Sequence, residues 1–164
     1  RFVWGLTAPV AVMAAQVHQE SGWRADAKNK FASGLTQFTP ATADWISQKY
    51  AADLGDNQPL NPSWALRALA RYDRFLWERQ ATAATPCDRW AFTLAAYNGG
   101  EGWINRDRGL AASRGATPNR WWGHVERYSP RARWAFRENR DYPRKILLIR
   151  QPPYRAWGPG VDCT

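Results

Sequence analysis

The chain has 164 residues, 45% of them hydrophobic and eleven of them tryptophan. That is enough for one domain with its own core, and far too apolar and aromatic for a disordered segment. The net charge is +9, of which +7 falls in residues 83–164, and nineteen of the twenty-three basic side chains are arginine. Such a surface is drawn to polyanions, either nucleic acid or the carboxylates and phosphates of a cell envelope.

The longest uncharged apolar stretch, residues 8–15, is too short to span a bilayer. No charged-then-apolar signal segment precedes it and the chain begins at Arg1, so a mature form or an excised domain is expected. Cys87 and Cys163 lack Cys-x-x-Cys spacing, which excludes the usual zinc and dithiol redox motifs. They leave two readings open, a disulfide tying the C-terminal tail to a helix start or two unpaired thiols. His18 and His124 are too few for a histidine metal site, so no metal and no cofactor are expected.

In chain order, the apolar stripe Val10, Met13, Ala14 and Val17 predicts a helix over 8–20. Thr39-Pro40, Asn61-Pro62 and Thr85-Pro86 each set a capping side chain before a proline at the first helical position, where no amide hydrogen is needed. They predict helices over 40–50, 62–81 and 86–97. Leu66, Leu69, Tyr72, Asp73 and Leu76 make the stripe of the third helix, interrupted only by the acid; Trp90, Ala91, Leu94 and Ala95 make that of the fourth. Asn98-Gly99-Gly100 reads as a helix stop. Residues 105–123, with Gly109, Gly115, Pro118 and Gly123, read as a mobile loop region. A last helix is expected over 141–150, followed by an extended tail over about 151–164. No period-2 strand run stands out, so the fold class is mainly α, in a single domain over 1–164.

Three short blocks carry chemistry. Glu20 closes the first predicted helix in Glu20-Ser21-Gly22-Trp23. The partial negative charge of the unpaired carbonyls there disfavours a carboxylate, and burial beside Trp23 and Phe31 would do the same. A carboxyl group in that setting keeps its proton and can act as a general acid. In Ser33-Gly34-Leu35-Thr36-Gln37, glycine lets the backbone approach a ligand while the Gln37 amide offers both donor and acceptor, which acetylated amino sugars need. Tyr97 and Asn98 precede a double glycine and offer a phenol and an amide. Asp26 and Asp44, the acids nearest in sequence to Glu20, stand in no motif and read as surface charges. Of the tryptophans, Trp103, Trp121 and Trp122 lie in the Gly-rich middle and are candidates for sugar stacking. The arginines of 127–145 read as a solvated helix face, or as an adhesive for an anionic wall.

These blocks, with Glu138-Asn139-Arg140-Asp141-Tyr142, resemble in order the four signature blocks of glycoside hydrolase family 23, the soluble-type lytic transglycosylases. The resemblance implies a lysozyme-like α-domain, shared with goose-type lysozyme, with Glu20 as the sole catalytic acid/base. It implies that Ser33, Gln37, Tyr97 and Asn98 line a groove and that Tyr142 approaches Glu20 from the opposite wall. Thr36 departs from the Met usual in the family, and Asn139 and Pro143 from the Thr and β-branched residues. The implied reaction cleaves the β-1,4 bond between N-acetylmuramic acid and N-acetylglucosamine in peptidoglycan, forming a 1,6-anhydro sugar. A muramidase of the same fold is the alternative, and a non-catalytic basic module binding cell wall or nucleic acid is the alternative of another class. Peptidoglycan is the expected partner, with electrostatic contact to the anionic envelope, no nucleic acid and a monomeric chain. The periplasm or cell wall is the expected location, and a phage endolysin one expected origin.

Overall fold

A computed structural model describes residues 2–163; residues 1 and 164, at the limits of the expected domain, lie outside the described residues. The described residues are helical apart from turns and two isolated β-bridges, Lys28 with Ser33 and Ser33 with Phe38. The helices are α1 (Val10–Ser21), α2 (Pro40–Lys49), α3 (Ala51–Leu54), α4 (Pro62–Arg79), α5 (Pro86–Gly99), α6 (Glu101–Ser113), α7 (Arg133–Arg144) and α8 (Gln151–Tyr154). A 3₁₀ turn (Val125–Arg127) precedes α7 and a π-helical stretch (Lys145–Arg150) follows it.

The three threonine- or asparagine-proline starts hold. Thr39 Oγ1 accepts from the Thr42 amide at 3.2 Å, Asn61 Oδ1 from Ser63 at 3.0 Å, and Thr85 Oγ1 from Asp88 at 3.0 Å, so α2, α4 and α5 begin at their prolines.

Contacts divide the chain into two compact units. The first comprises residues 2–74 and 150–160. Its buried side chains include Ala11, Val12, Ala15 and Val17 of α1, Ile46 of α2, and Trp64, Ala65 and Leu69 of α4. The short helix α8 touches α1, and the Ala11 amide donates to the Pro159 carbonyl at 2.9 Å. The tail expected to be extended from 151 therefore opens with a helical turn, because Gln151 is buried and its segment is held to α1.

The second unit comprises residues 75–149 and 161–163. Its centre is α5, which buries every residue from Trp90 to Ala96 and touches both α6 and α7. The mobile loop expected over 105–123 is corrected here: α6 is regular through Ser113. Gly102 and Gly109 each weaken a helix by about 1 kcal/mol, but Ile104, Asp107 and Ala111 bury a face of α6 and outweigh that cost. The remaining turns, 114–123, are tied down. Asp88 Oδ1 accepts from the Trp121 amide at 2.8 Å, and His124 Nδ1 accepts from the Thr117 amide at 3.1 Å. Trp121 is fully buried, edge-on to Phe92 at 5.3 Å, so it is core and not a sugar platform.

The helix expected from 141 starts at Arg133. Pro143 lies inside it, and the ladder loosens to π spacing just after that ring, where an amide hydrogen is missing. Cys87 and Cys163 form a disulfide, which closes the open question of the two thiols. The Trp122 indole N–H also points at the Cys87 sulfur, at 3.0 Å.

Candidate active site

In the first unit, Glu20 sits on the last turn of α1, half-buried. The helix stops because Gly22 takes a left-handed conformation, φ 60°, and its amide caps the His18 carbonyl at 3.0 Å. Trp23 follows, also at positive φ. The expected burial of Glu20 beside Trp23 and Phe31 is not how those rings are used. Phe31 is 66% exposed and lies under the Lys30 ammonium, while Trp23 is engaged by the C-terminal segment. Its indole N–H donates to the Tyr154 hydroxyl at 2.7 Å, and its ring meets that of Trp157 at 5.5 Å.

Tyr154 continues a chain of bonds along α1. Its hydroxyl lies 3.0 Å from His18 Nδ1, and His18 Nε2 lies 3.2 Å from an Arg150 guanidinium nitrogen. Arg150 Nε also donates to Gln19 Oε1 at 2.7 Å. Arginine has no acceptor, so His18 must present a bare Nε2 and carry its hydrogen on Nδ1, facing Tyr154. The residues on both sides of Glu20 are thus fixed by side chains more than a hundred positions away in sequence. Tyr154 and Arg150 carry no local motif, which is why the sequence reading passed over them.

One helical turn before Glu20, α1 contributes to a buried polar pair. Gln16 and Asp73 are both fully buried, and Gln16 Nε2 donates to Asp73 Oδ1 at 3.4 Å. Burial pushes the Asp73 carboxyl well above the usual carboxylate range; the Gln16 bond draws it partly back, and the charge of Glu20 pushes it further up. The interruption of the α4 stripe at Asp73 was the sequence signal for this group.

The loop after α1 is clamped by Gln37. Its amide nitrogen donates to the carbonyls of Ala27 at 3.0 Å and Gly34 at 2.8 Å, and its Oε1 accepts from Asn29 at 3.0 Å. Both amide hydrogens are therefore spent inside the loop. Gln37 itself sits at φ 48° and Gly34 at φ 79°, where an added Cβ would overlap the Pro59 carbonyl. Ser33 is half-buried and its amide donates to Phe38 O at 3.3 Å. Thr36 is fully buried, so it offers no surface to a ligand. Asp26 and Asp44 are exposed, and Asp44 accepts from Asn57 at 2.5 Å.

In the second unit, Tyr97 and Asn98 lie on the last turn of α5. The Tyr97 ring stacks with that of Tyr142, 6.3 Å apart and 7° from parallel. Asn98 Oδ1 accepts from Asn139 Nδ2 at 3.1 Å. Buried Asn139 also donates to the Ala95 carbonyl at 2.8 Å and accepts from Arg131 at 3.0 Å. Arg131 and Arg140 both reach the fully buried carboxylate of Asp107, at 3.2 and 2.8 Å. Gly99 has no side chain because one would collide with Arg131 and Asn139. A cleft of about 390 Å³ opens beside this network, lined by Asn98, Trp103, Arg131, Trp134 and Glu138. The Asp107, Arg131 and Asn139 network escaped the sequence reading, since its members come from separate helices and turns.

The fold is mainly α and lysozyme-like. It superposes on the 70 kDa soluble lytic transglycosylase of Escherichia coli with a TM-score of 0.69 at 24% identity, over 90% of this chain and 22% of that one. The family model described as the Transglycosylase SLT domain matches residues 6–119, and the chain belongs to that family. Among its relatives, a protein named membrane-bound lytic murein transglycosylase F from Pseudomonas fluorescens (Pf-5) is 32% identical over 67% of this chain and 21% of its own length. The protein of the same name from Marinobacter nauticus is 35% identical over 67% of this chain and 20% of its own. Membrane-bound lytic murein transglycosylase F 2 of Alkalilimnicola ehrlichii is 30% identical over 87% of this chain and 32% of its own. The chain thus spans about a fifth to a third of the length of these curated relatives. Among the described residues no helix is long and apolar enough to cross a membrane.

Proposed function

We propose that the chain is a peptidoglycan lytic transglycosylase with Glu20 as its single general acid and base. The observation that carries this reading is the family match over residues 6–119, which contains Glu20, Ser33, Gln37, Tyr97 and Asn98. Glu20 protonates the oxygen linking N-acetylmuramic acid to N-acetylglucosamine as the bond to the anomeric carbon breaks. The substrate's own 2-acetamido group stabilises the cationic carbon, so no second carboxylate is needed. Ionised Glu20 then takes the proton from the muramoyl C6 hydroxyl while that oxygen attacks the anomeric carbon, closing a 1,6-anhydro ring without water.

Ser33, Asn98 and Tyr142 enter as sugar-side residues through the motifs they share with the family, and so does Tyr97. Gln37 serves chiefly as the clamp of its loop, with one lone pair left on Oε1 for a ligand. A cell-envelope location agrees with the Cys87–Cys163 disulfide, a bond that persists in oxidising compartments. It agrees also with the excess of arginine, which favours adhesion to anionic wall polymers.

Mass spectrometry of the fragments released from purified peptidoglycan tests the reading. Wild type should yield fragments one water lighter than reducing-end sugars, and Glu20→Gln should yield none. Reducing ends would make the protein a muramidase, and equal clearing by both proteins would remove Glu20 from the mechanism.

A further inference from the structure

The Gln16–Asp73 pair has a surplus of acceptors. Besides the one bond they share, Gln16 Oε1 and Asp73 Oδ2 are both buried and have no partner among the described residues. An ionised carboxylate and an amide oxygen can only accept. One proton on Asp73 Oδ2 changes this, because the group then donates and Gln16 Oε1 is there to receive. The result is a two-bond acid–amide ring that satisfies every polar atom of the pair, whereas the charged form leaves two buried acceptors unmet.

The charges nearby do not favour the ionised form. Glu20, four residues beyond Gln16 and so on the same side of α1, is an acid like Asp73. On α4, the neighbouring Arg71 is paired with Asp53 and Arg74 lies over the Trp4 ring at 5.1 Å. On α1, His18 is held by Arg150 and Tyr154.

We infer that Asp73 carries its proton in the working protein and acts as a positioning residue for Glu20. Closed on Gln16, the neutral acid ties α4 to the helical turn that presents Glu20 and leaves Glu20 as the one carboxyl of the pair that takes a charge. This rests on the reading of Glu20 as the catalytic acid. When Glu20 gives its proton to the substrate it becomes an anion beside a neutral group, and it can be reprotonated without repulsion from a second charge. Two coupled carboxyls lose their protons in separate steps.

The test follows the carboxyl carbons of the full chain by NMR as pH is raised, together with kcat and KM on purified peptidoglycan. Asp73 should give a protonated carboxyl signal at neutral pH that is missing in Asp73→Asn. The Glu20 curve should show two steps in wild type and one in Asp73→Asn. Asparagine reproduces the neutral acid, so this variant should hold kcat within about twofold. Asp73→Leu strands Gln16 and should lower kcat on the order of tenfold with KM unchanged. If Asp73→Leu does not fold, the apolar double variant Gln16→Leu/Asp73→Leu replaces it, and it too should fall short of Asp73→Asn in kcat. An ionised Asp73 signal at neutral pH overturns the inference, as does equal kcat in the leucine and asparagine variants. Full activity in Glu20→Gln would instead overturn the role of Glu20 while leaving the Asp73 proton as measured.

Discussion

Replacing Asp107 by alanine should unfold the second unit at a markedly lower temperature. The carboxylate has no exposed surface, and the Arg131 and Arg140 side chains that reach it are only 6% and 10% exposed. Ser129 adds a 2.6 Å bond to its other oxygen. Burial already pulls the Arg140 guanidinium below its usual pKa, and the charge of Asp107 is the main force opposing that. Alanine would leave two confined cations without a counter-charge, a loss of about 3–5 kcal/mol when one partner of a buried pair is removed. Arg140 keeps its bonds to the Val125, Glu126 and Tyr128 carbonyls, which favours the lower end. For a chain of this size each kcal/mol moves Tm by about 2–4 °C, so a fall of roughly 10 °C is expected by calorimetry. Asp107→Asn, which keeps the hydrogen-bonding shape but not the charge, should fall by roughly half as much. Because Arg131 holds Asn139 and Asn139 holds Asn98, glycan cleavage measured well below Tm should also drop. A Tm change under about 3 °C for alanine would show that the two guanidiniums find water and that the network contributes little.

Four further outcomes follow from other sites. Glu20→Gln should leave Tm within about 1 °C and cut the rate of glycan cleavage by about 10²–10⁴, checked by muropeptide release. Reducing the disulfide, or replacing both cysteines by serine, removes a link between positions 76 apart and should cost about 4–5 kcal/mol in urea denaturation if unfolded-chain entropy governs. Gly34→Ala meets both a positive φ and the Pro59 carbonyl, and should lose more than about 1 kcal/mol by the same assay. For Asp73 the sign of the pH effect is fixed by its raised folded pKa. Unfolded Asp73 ionises near 3.8 while folded Asp73 keeps its proton, so stability is full below that pH and declines as pH rises through the folded value. Urea titrations should show a slope of at most about 1.4 kcal/mol per pH unit that vanishes in Asp73→Asn.

Local chemistry was legible along the chain wherever neighbours in sequence decide the outcome. A threonine or asparagine before proline is a strong helix start when an apolar stripe follows it, and α2, α4 and α5 begin where such pairs stand. A glutamate before Ser-Gly-Trp, a Gly-Leu-Thr-Gln turn and a Tyr-Asn-Gly-Gly stop sufficed to name the family, since their order survives without any knowledge of distance. Glycine content misled over 105–113, because helix propensity is a matter of about 1 kcal/mol and a buried face exceeds it.

What folding alone decided is how those groups are held. Tyr154 and Arg150 reach His18 and Trp23 across more than a hundred residues, Asp73 meets Gln16, and Asp107 gathers two arginines that lie 24 and 33 positions away in sequence. Such pairings are set by which helix faces meet, and a side chain's partner across a helix contact leaves no trace in its own neighbourhood. The residue types announced the reaction class, whereas the proton on a buried acid depends on solvent exclusion and on nearby charges, which exist only once the chain has closed around it.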